Sequence, residues 1–208
     1  MIYAVAYTKG GVGKTTIAVN LAAYFATKGK TLLIDGDPQA TTSIWSGWRR
    51  DNEGVPMPTT VQLLGKAIFD EGRELAKAYD YVVVDVAGRD GVGLRNALLL
   101  ADRVITPMGN SGFDVIDAQR FKETFEQAKA FNRDVEYRVV LNAMKGSTTD
   151  AEDFIERMQM PTFKTMLGHR RAYVQATNNG LATLEFKPVN AAATFEIRKL
   201  IEEIESWA

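Results

Sequence analysis

The chain has 208 residues, of which 46% are hydrophobic and 25% are charged, and its formal net charge is −1. This length is enough to bury one hydrophobic core, so we expect a single domain over residues 1–208. The absence of cysteine excludes disulfides, zinc–thiolate sites and iron–sulfur clusters, and a single histidine excludes a multi-histidine metal site. The near-neutral charge provides no global basic field, so a nucleic-acid partner would need a local basic patch.

Short apolar runs alternate with longer amphipathic stretches along the chain. The pattern predicts strands at residues 2–7, 31–34, 81–84, 103–106, 137–141 and 162–166. It predicts helices at residues 14–27, 61–78, 94–101, 115–131, 151–158 and 191–207. The strands are apolar on both faces, which is typical of a buried parallel sheet. We therefore predict a single-domain, doubly wound, mostly parallel α/β sheet with ligands at the carboxyl ends of its strands.

Two stretches of the sequence bear on loops and location. Residues 47–60 are rich in glycine, proline and polar side chains, which predicts a mobile surface loop. The apolar run that opens the chain is short and no basic region precedes it, which does not fit a signal peptide. No apolar run is long enough to span a membrane. We expect a cytoplasmic protein.

The strongest signal is a glycine-rich segment, T-K-G-G-V-G-K-T-T at residues 8–16, between the first predicted strand and the first predicted helix. Its glycines let backbone N–H groups wrap around phosphate oxygens, and the helix N-terminus adds partial positive charge. We expect Lys14 to reach the β- and γ-phosphates of a nucleotide, and Thr15 to supply its hydroxyl to Mg²⁺. The predicted nucleotide-binding residues here are Gly10, Gly11, Val12, Gly13, Lys14, Thr15 and Thr16.

Two more predicted strands end in carboxylates. The sequence L-L-I-D-G-D-P-Q at residues 32–39 delivers Asp35 and Asp37, and D-Y-V-V-V-D at residues 80–85 ends in Asp85. Carboxyl ends of parallel strands share one sheet edge, so these groups should project toward the phosphates. We expect Asp85 to hold Mg²⁺ through a water, Asp35 to contact the Mg²⁺ shell or Lys14, and Asp37 to position the attacking water. A capped turn at Asp37 is the structural alternative.

The loop departs from the general G-x-x-x-x-G-K-[ST] pattern, because Thr8 replaces the first glycine and Lys9 is an additional lysine. It resembles the deviant Walker A motif, K-G-G-x-G-K-[ST]-[ST], of the ParA/MinD family of dimeric ATPases. Residues 35–39 resemble that family's D-x-D-P-Q box, and the resemblance runs from Ile2 to the last predicted helix. It implies that Lys9 binds the partner protomer's nucleotide across a homodimer interface. A merely solvated lysine is the alternative.

The same resemblance assigns roles to two further segments. Asn142, after a late predicted strand, would read the adenine edge, although an asparagine that forms a turn is a real alternative. Gly88 and Gly91 would form a hinge, Switch II, that senses the γ-phosphate. The charged pair Arg89 and Asp90 within this hinge is distinctive. So is the segment W-S-G-W-R-R at residues 45–50, which contains Trp45 and Trp48. The two tryptophans would share a helical face, either in the core or in contacts with an adaptor or a second protomer.

The resemblance is to the small ParA class, whose members begin on the phosphate-loop strand and lack a domain that binds specific operators. It implies an ATPase that uses ATP and Mg²⁺, forms an ATP-sandwich homodimer and segregates plasmid or chromosomal DNA. It also implies non-specific binding to duplex DNA, a location on the nucleoid, and stimulation by a separately encoded ParB-like or cargo adaptor. Six basic and two acidic residues lie between positions 164 and 199. The predicted DNA contacts are Lys164, Arg170, Arg171, Lys187, Arg198 and Lys199, with a solvated basic face as the alternative.

Other functions are compatible with the same fold. A ParA relative that positions a protein cargo, such as a carboxysome, has the same ATPase core, so sequence does not separate it from DNA segregation. A MinD-like membrane ATPase needs a basic amphipathic tail, whereas residues 201–208 are acidic. A nitrogenase-reductase-like carrier needs cysteines. A metabolic enzyme of the dethiobiotin-synthetase type would need neither Lys9 nor the D-x-D-P-Q box.

Overall fold

The computed structural model describes residues 1–88, 91–109, 112–144 and 149–207. The strands are β1 (Ile2–Val5), β2 (Thr31–Gly36), β3 (Thr59–Gln62), β4 (Tyr81–Val86), β5 (Arg103–Met108) and β6 (Glu136–Leu141). The helices are α1 (Lys14–Ala26), α2 (Thr41–Arg49), α3 (Ala67–Ala76), α4 (Gly91–Leu100), α5 (Gly112–Lys129), α6 (Thr149–Met158), α7 (Arg171–Asn178) and α8 (Ala191–Trp207). None of the helices within these ranges combines the length and apolar character that a bilayer-spanning segment needs.

The six strands form one sheet in the order β3-β2-β4-β1-β5-β6, and every adjacent pair is parallel. This confirms the predicted parallel α/β fold. The first strand lies between β4 and β5, so the loop that follows it opens at the centre of the carboxyl edge. Asp35 and Asp85 are register partners on β2 and β4, which brings two carboxylates side by side next to that loop.

Alternate strand residues feed two separate hydrophobic cores. On β1, Ala4 faces one core and both Tyr3 and Val5 face the other. The first core receives buried residues from α3, α4, α5 and α6, and the second from α1, α2, α7 and α8. Both faces of the sheet are therefore covered, which is why its strands read as continuous apolar runs.

The structure corrects the sequence interpretation in three places. The predicted helix at 61–78 is β3 followed by α3, because β-branched residues at 59–61 pair with the edge of β2. The predicted loop at 47–60 contains the end of α2 and the start of β3. The predicted strand at 162–166 is a single bridge between Val139 and Thr162. Helices α2 and α7 were not predicted.

Helix α2 is fixed at its C-terminal end by a buried arginine. Arg49 is fully buried, donates to both carboxylate oxygens of Glu185 at 2.7 and 2.8 Å, and donates to the carbonyls of Pro56 and Gly180. Its guanidinium lies 5.0 Å from the ring centroid of Trp45, which is also fully buried. Trp48 is 45% exposed, so the prediction that both tryptophans pack in the core is wrong for Trp48.

Arg49→Ala should destabilise the protein strongly, because it leaves two carbonyls without their guanidinium donor and leaves the Glu185 carboxylate with only the Ala182 N–H as a donor among the described residues. We expect the free energy of unfolding in urea to fall by about 3–5 kcal/mol, the usual cost of breaking a buried ion pair. The control is Lys199→Ala, which removes a surface pair with Glu202 and should cost less than about 1 kcal/mol. Equal decreases in the two variants would contradict the assignment of Arg49 as the anchor of α2.

Candidate phosphate-binding site

The glycine-rich loop lies between β1 and α1, as predicted. Gly13 precedes α1 with φ of 92°, in the left-handed region that glycine adopts without strain. A side chain at Gly13 would also collide with the Asn142 amide. The first turn of α1 contains no acidic residue, so no carboxylate competes for its amides. The loop therefore presents a helix N-terminus suited to an anion.

Lys14 is only 7% exposed, and its ammonium donates to the carbonyl oxygen of Lys9 at 2.6 Å. Burial lowers the pKa of Lys14, while the negative charges of Asp85 and Asp37 oppose that change. Removing an ammonium from water is costly unless negative charge surrounds it. A phosphate group in the loop would supply that charge, so the environment of Lys14 fits an anionic ligand.

Asp85 is 1% exposed and its two oxygens differ sharply. Oδ2 accepts hydrogen bonds from the hydroxyls of Thr15 at 2.7 Å and Thr42 at 2.5 Å. Oδ1 is buried and has no hydrogen-bond partner among the described residues. The pKa of Asp85 is raised to about 6, mainly by burial. The hydrogen bonds from the two hydroxyls and the charge of Lys14 oppose this increase, whereas the neighbouring Asp35 carboxylate adds to it. A buried carboxylate oxygen without a partner fits a cation or a cation-bound water.

The donor set fits Mg²⁺ held jointly by protein and phosphate. No group of three or more histidine, aspartate or glutamate side chains within the described ranges forms a metal cage. Mg²⁺ is commonly bound by one or two carboxylates together with substrate phosphates. The Thr15 hydroxyl donates its proton to Asp85, which leaves its oxygen lone pairs available to a metal. Thr15 and Asp85 are thus the residues that would hold Mg²⁺ beside a nucleotide.

Asp35 is fully buried, and its carboxylate accepts hydrogen bonds from two backbone N–H groups. Its Oδ1 accepts the N–H of Asp37 at 3.2 Å and its Oδ2 accepts the N–H of Ser43 at 2.7 Å. The carboxylate therefore caps the first turn of α2 from the neighbouring strand. Among the described hydrogen bonds and ion pairs, Lys14 contacts the Lys9 carbonyl and not Asp35. A role for Asp35 in the Mg²⁺ shell stays a prediction.

Asp37 is half-buried and forms the capped turn that was its structural alternative. Its Oδ1 accepts the N–H of Gln39 at 2.8 Å, and its carbonyl accepts hydrogen bonds from Ala40 and the Gln62 amide. Its charge is close enough to oppose the lowered pKa of Lys14. The negative charge of Asp37 therefore acts on the Lys14 ammonium, and the part of Asp37 in positioning water stays a prediction.

Two other loops touch the phosphate loop directly. Asn142, which follows β6 and is 8% exposed, donates through Nδ2 to the carbonyl of Val12 at 2.6 Å. A Cβ at Gly88 would lie 2.7 Å from backbone atoms of Lys9 and Gly10, so only glycine fits there. Gly91, by contrast, has open space around it. Arg89 and Asp90 lie outside the described residues.

The predicted basic residues are not equivalent. Arg170 pairs with the Glu196 carboxylate, which also accepts from Tyr173 and from the N–H of Gly168, so Arg170 joins α7 to α8. Lys199 pairs with Glu202 on the surface. The remaining four are exposed and form no ion pair within the described part of the chain; they are Lys164, Arg171, Lys187 and Arg198.

Thr42 is the site residue that the sequence analysis missed. It is fully buried in the first turn of α2, and its partner Asp85 is 43 positions away. The only local signal is a hydroxyl residue shortly after the D-x-D-P-Q box. Nothing in its spacing predicts which carboxylate it binds, because that depends on how α2 packs on the sheet.

Comparison with known proteins identifies relatives of this chain. The family model of the CobQ/CobB/MinD/ParA nucleotide binding domain matches residues 3–184. The maintenance of carboxysome distribution protein A of Gloeobacter kilaueensis is 30% identical, with 98% of this chain and 94% of that protein covered. The chromosome partitioning protein ParA of Myxococcus xanthus is 28% identical, with 76% and 70% covered.

A solved structure agrees with the fold. The septum site-determining protein MinD of Pyrococcus horikoshii, complexed with Mg-ADP, superposes with a TM-score of 0.78 at 19% identity. The alignment covers 99% of this chain and 96% of that one. Together with the family match, this confirms the resemblance to ParA/MinD proteins inferred from residues 8–16 and 35–39.

Asn142→Ala tests whether this side chain supports the loop or reads a base. If it supports the loop through Val12, affinities for ATP and GTP should fall together, by roughly tenfold for the removal of a buried hydrogen bond. Titration with fluorescent analogues of both nucleotides measures this. Asn132→Ala is the matched control, because that amide also donates to carbonyls but at the end of α4. A decrease confined to ATP would instead establish adenine recognition.

Proposed function

Because the chain belongs to the CobQ/CobB/MinD/ParA nucleotide-binding family, we propose that it is an ATPase that dimerises on ATP and partitions or positions a cargo. One arrangement carries the proposal. A buried ammonium, Lys14, lies in a glycine loop beside a buried carboxylate, Asp85, one of whose oxygens has no partner in the described chain. Phosphate would compensate the first group, and Mg²⁺ the second.

The residues divide the work of phosphoryl transfer to water. Backbone amides of the loop and Lys14 bind the phosphates and stabilise the charge that develops on them. Thr15 and Asp85 hold Mg²⁺, which, when bound, neutralises charge on the β- and γ-phosphates. Asp37 orients the attacking water, since its carboxylate lies near Lys14 at the end of β2. Asp35 supports this role by fixing the Asp37 backbone.

The proposal extends to Lys9, whose side chain would reach the nucleotide of the partner protomer. The backbone carbonyl of Lys9 already accepts from Lys14. Substituting the Lys9 side chain leaves that carbonyl in place, so the two lysines can be tested separately. This separation distinguishes the dimeric ATPase from a metabolic enzyme of the dethiobiotin-synthetase type, which would need Lys14 alone.

Lys9→Ala should bind ATP yet remain monomeric with Mg²⁺ and a non-hydrolysable ATP analogue, because Lys14 and the loop amides are intact. Phosphate release should fall at least about tenfold, the scale expected for removing one charge-assisted hydrogen bond. Lys14→Ala is the matched variant and should lose nucleotide affinity itself. Light scattering gives the mass and a phosphate assay gives the rate. A Lys9→Ala protein that still forms the dimer would exclude the sandwich arrangement.

We further propose that the ATP-bound dimer binds duplex DNA without sequence preference and so associates with the nucleoid. Four exposed cations on or near α7 and α8, without ion pairs in the described ranges, support binding to DNA phosphates. Arg170 is left out of this set because Glu196 already neutralises it. Dimerisation would place two such sets on one particle and raise the effective concentration of the second.

Neutralising Arg171 and Arg198 together should weaken DNA binding equally for unrelated sequences. The slope of log affinity against log salt should become shallower by about 0.9 for every DNA phosphate that is no longer neutralised. The matched control neutralises Arg73 on α3 and Arg133 after α5, two exposed arginines on the other side of the sheet that also form no ion pair in the described ranges. Filter binding with the ATP analogue across a salt series gives both quantities. DNA retention that is equal in the two double variants would place the DNA elsewhere.

The relatives favour two cargoes. A carboxysome distribution protein matches over 98% of this chain, which favours a protein assembly as cargo. A chromosome partitioning protein matches over 76%, which keeps plasmid or chromosomal DNA as the second candidate. In either case a separately encoded adaptor would link cargo to ATPase and stimulate hydrolysis. The neighbouring reading frame would distinguish the two cargoes. A DNA-binding adaptor encoded there indicates DNA segregation, and a shell or assembly protein indicates positioning of a protein cargo.

A further inference from the structure

We infer that Thr42 is a positioning residue of the metal site, acting through Asp85; the inference rests on the proposed function. Its hydroxyl donates to Asp85 Oδ2 at 2.5 Å, and both groups are buried. The Thr15 hydroxyl donates to the same oxygen at 2.7 Å. Two donors on Oδ2 leave Oδ1 as the atom without a partner in the described chain. Thr42 thereby selects which carboxylate oxygen is available to Mg²⁺ or its water.

Thr42 is needed for this selection because Thr15 has a second task. Thr15 would be a metal ligand, so its position depends on the metal and the phosphates. Thr42 lies on a different element, α2, and approaches Asp85 from outside the phosphate loop. Its hydrogen bond would hold the carboxylate while the loop adjusts to a nucleotide. Groups that orient a metal ligand in this way commonly change metal affinity by about 10–100-fold when removed.

The first turn of α2 is built to hold Thr42 in place. Asp35 caps that turn by accepting the N–H of Ser43 at 2.7 Å. Ala40, which precedes the helix, has φ of 54°, a left-handed conformation that is unfavourable for a residue with a side chain. Arg49 anchors the other end of the helix to Glu185. Contacts at both ends of α2 therefore fix the backbone around Thr42, and they outweigh the cost of the left-handed conformation at Ala40.

This arrangement also connects the metal site to the surface. Two carboxylates, Asp35 and Asp85, hold adjacent residues of α2, and the same helix exposes Ile44 and Trp48. A hydrogen bond thus joins the Asp85 carboxylate directly to the first turn of α2. The hydroxyl of Thr42 is the single side-chain bond from α2 to Asp85 among the described residues.

The test compares Thr42→Val, which keeps the shape and loses the hydroxyl, with Thr42→Ser, which keeps the hydroxyl. The dissociation constant of a fluorescent ADP analogue is measured with Mg²⁺ and with EDTA. We expect the ratio of the two constants to shrink about tenfold in Thr42→Val and to be kept in Thr42→Ser. Affinity in EDTA should be unchanged in both variants, because the loop amides and Lys14 remain.

Thr31→Val is the matched control, since Thr31 is also buried on β2 but its hydroxyl bonds the Gly29 carbonyl. Circular dichroism establishes that each variant is folded, and Thr42→Ala replaces Thr42→Val if the latter is not. An unchanged ratio in Thr42→Val or Thr42→Ala would overturn the role of Thr42, as would an equal decrease of the ratio in Thr31→Val. A wild-type ratio of one would instead contradict Mg²⁺ binding and thus the proposed function.

Discussion

The site depends on placing two carboxylates side by side in a buried position. Register pairing of β2 with β4 sets Asp35 opposite Asp85, both almost without solvent exposure. Like charges on neighbouring strands repel, and burial adds to the cost, so each must find its own donors. Asp35 finds backbone amides and Asp85 finds two hydroxyls and the nearby charge of Lys14. This division leaves Asp85 Oδ1 as a buried oxygen without a hydrogen-bond partner in the described chain.

Helix α2 and two loops are positioned by contacts with these carboxylates and with the phosphate loop. Helix α2 begins where it does because Asp35 caps its first turn, and it reaches back to Asp85 through Thr42. Arg49 then ties the end of that helix to Glu185 and to the segment after α7. The phosphate loop is bounded on one side by Asn142 and on another by Gly88. Binding of phosphate and metal would therefore be felt in α2, in the loop after β4 and in the segment after β6.

The sequence predicted features whose cause is local. The loop at residues 8–16, the carboxylates that end β2 and β4, and α8 at 191–207 all follow from short patterns, and the structure has them at those positions. Sequence reasoning failed where packing decides. Residues 59–62 become a strand only because the edge of β2 is available, and Trp48 is exposed because Trp45 alone faces the core. Arg170 and Thr42 bind partners 26 and 43 positions away, which no spacing rule foresees.

A crystal structure of the chain with Mg²⁺ and a non-hydrolysable ATP analogue tests the central claim most directly. We expect phosphate oxygens within hydrogen-bond distance of the Lys14 ammonium, where they would replace the hydrogen bond from Lys14 to the Lys9 carbonyl. We expect the metal beside the Thr15 hydroxyl and Asp85 Oδ1, directly or through one water, with the Thr42–Asp85 hydrogen bond retained. A nucleotide bound elsewhere, or phosphates in the loop with Lys14 still on the Lys9 carbonyl and no metal near Asp85, would contradict the claim.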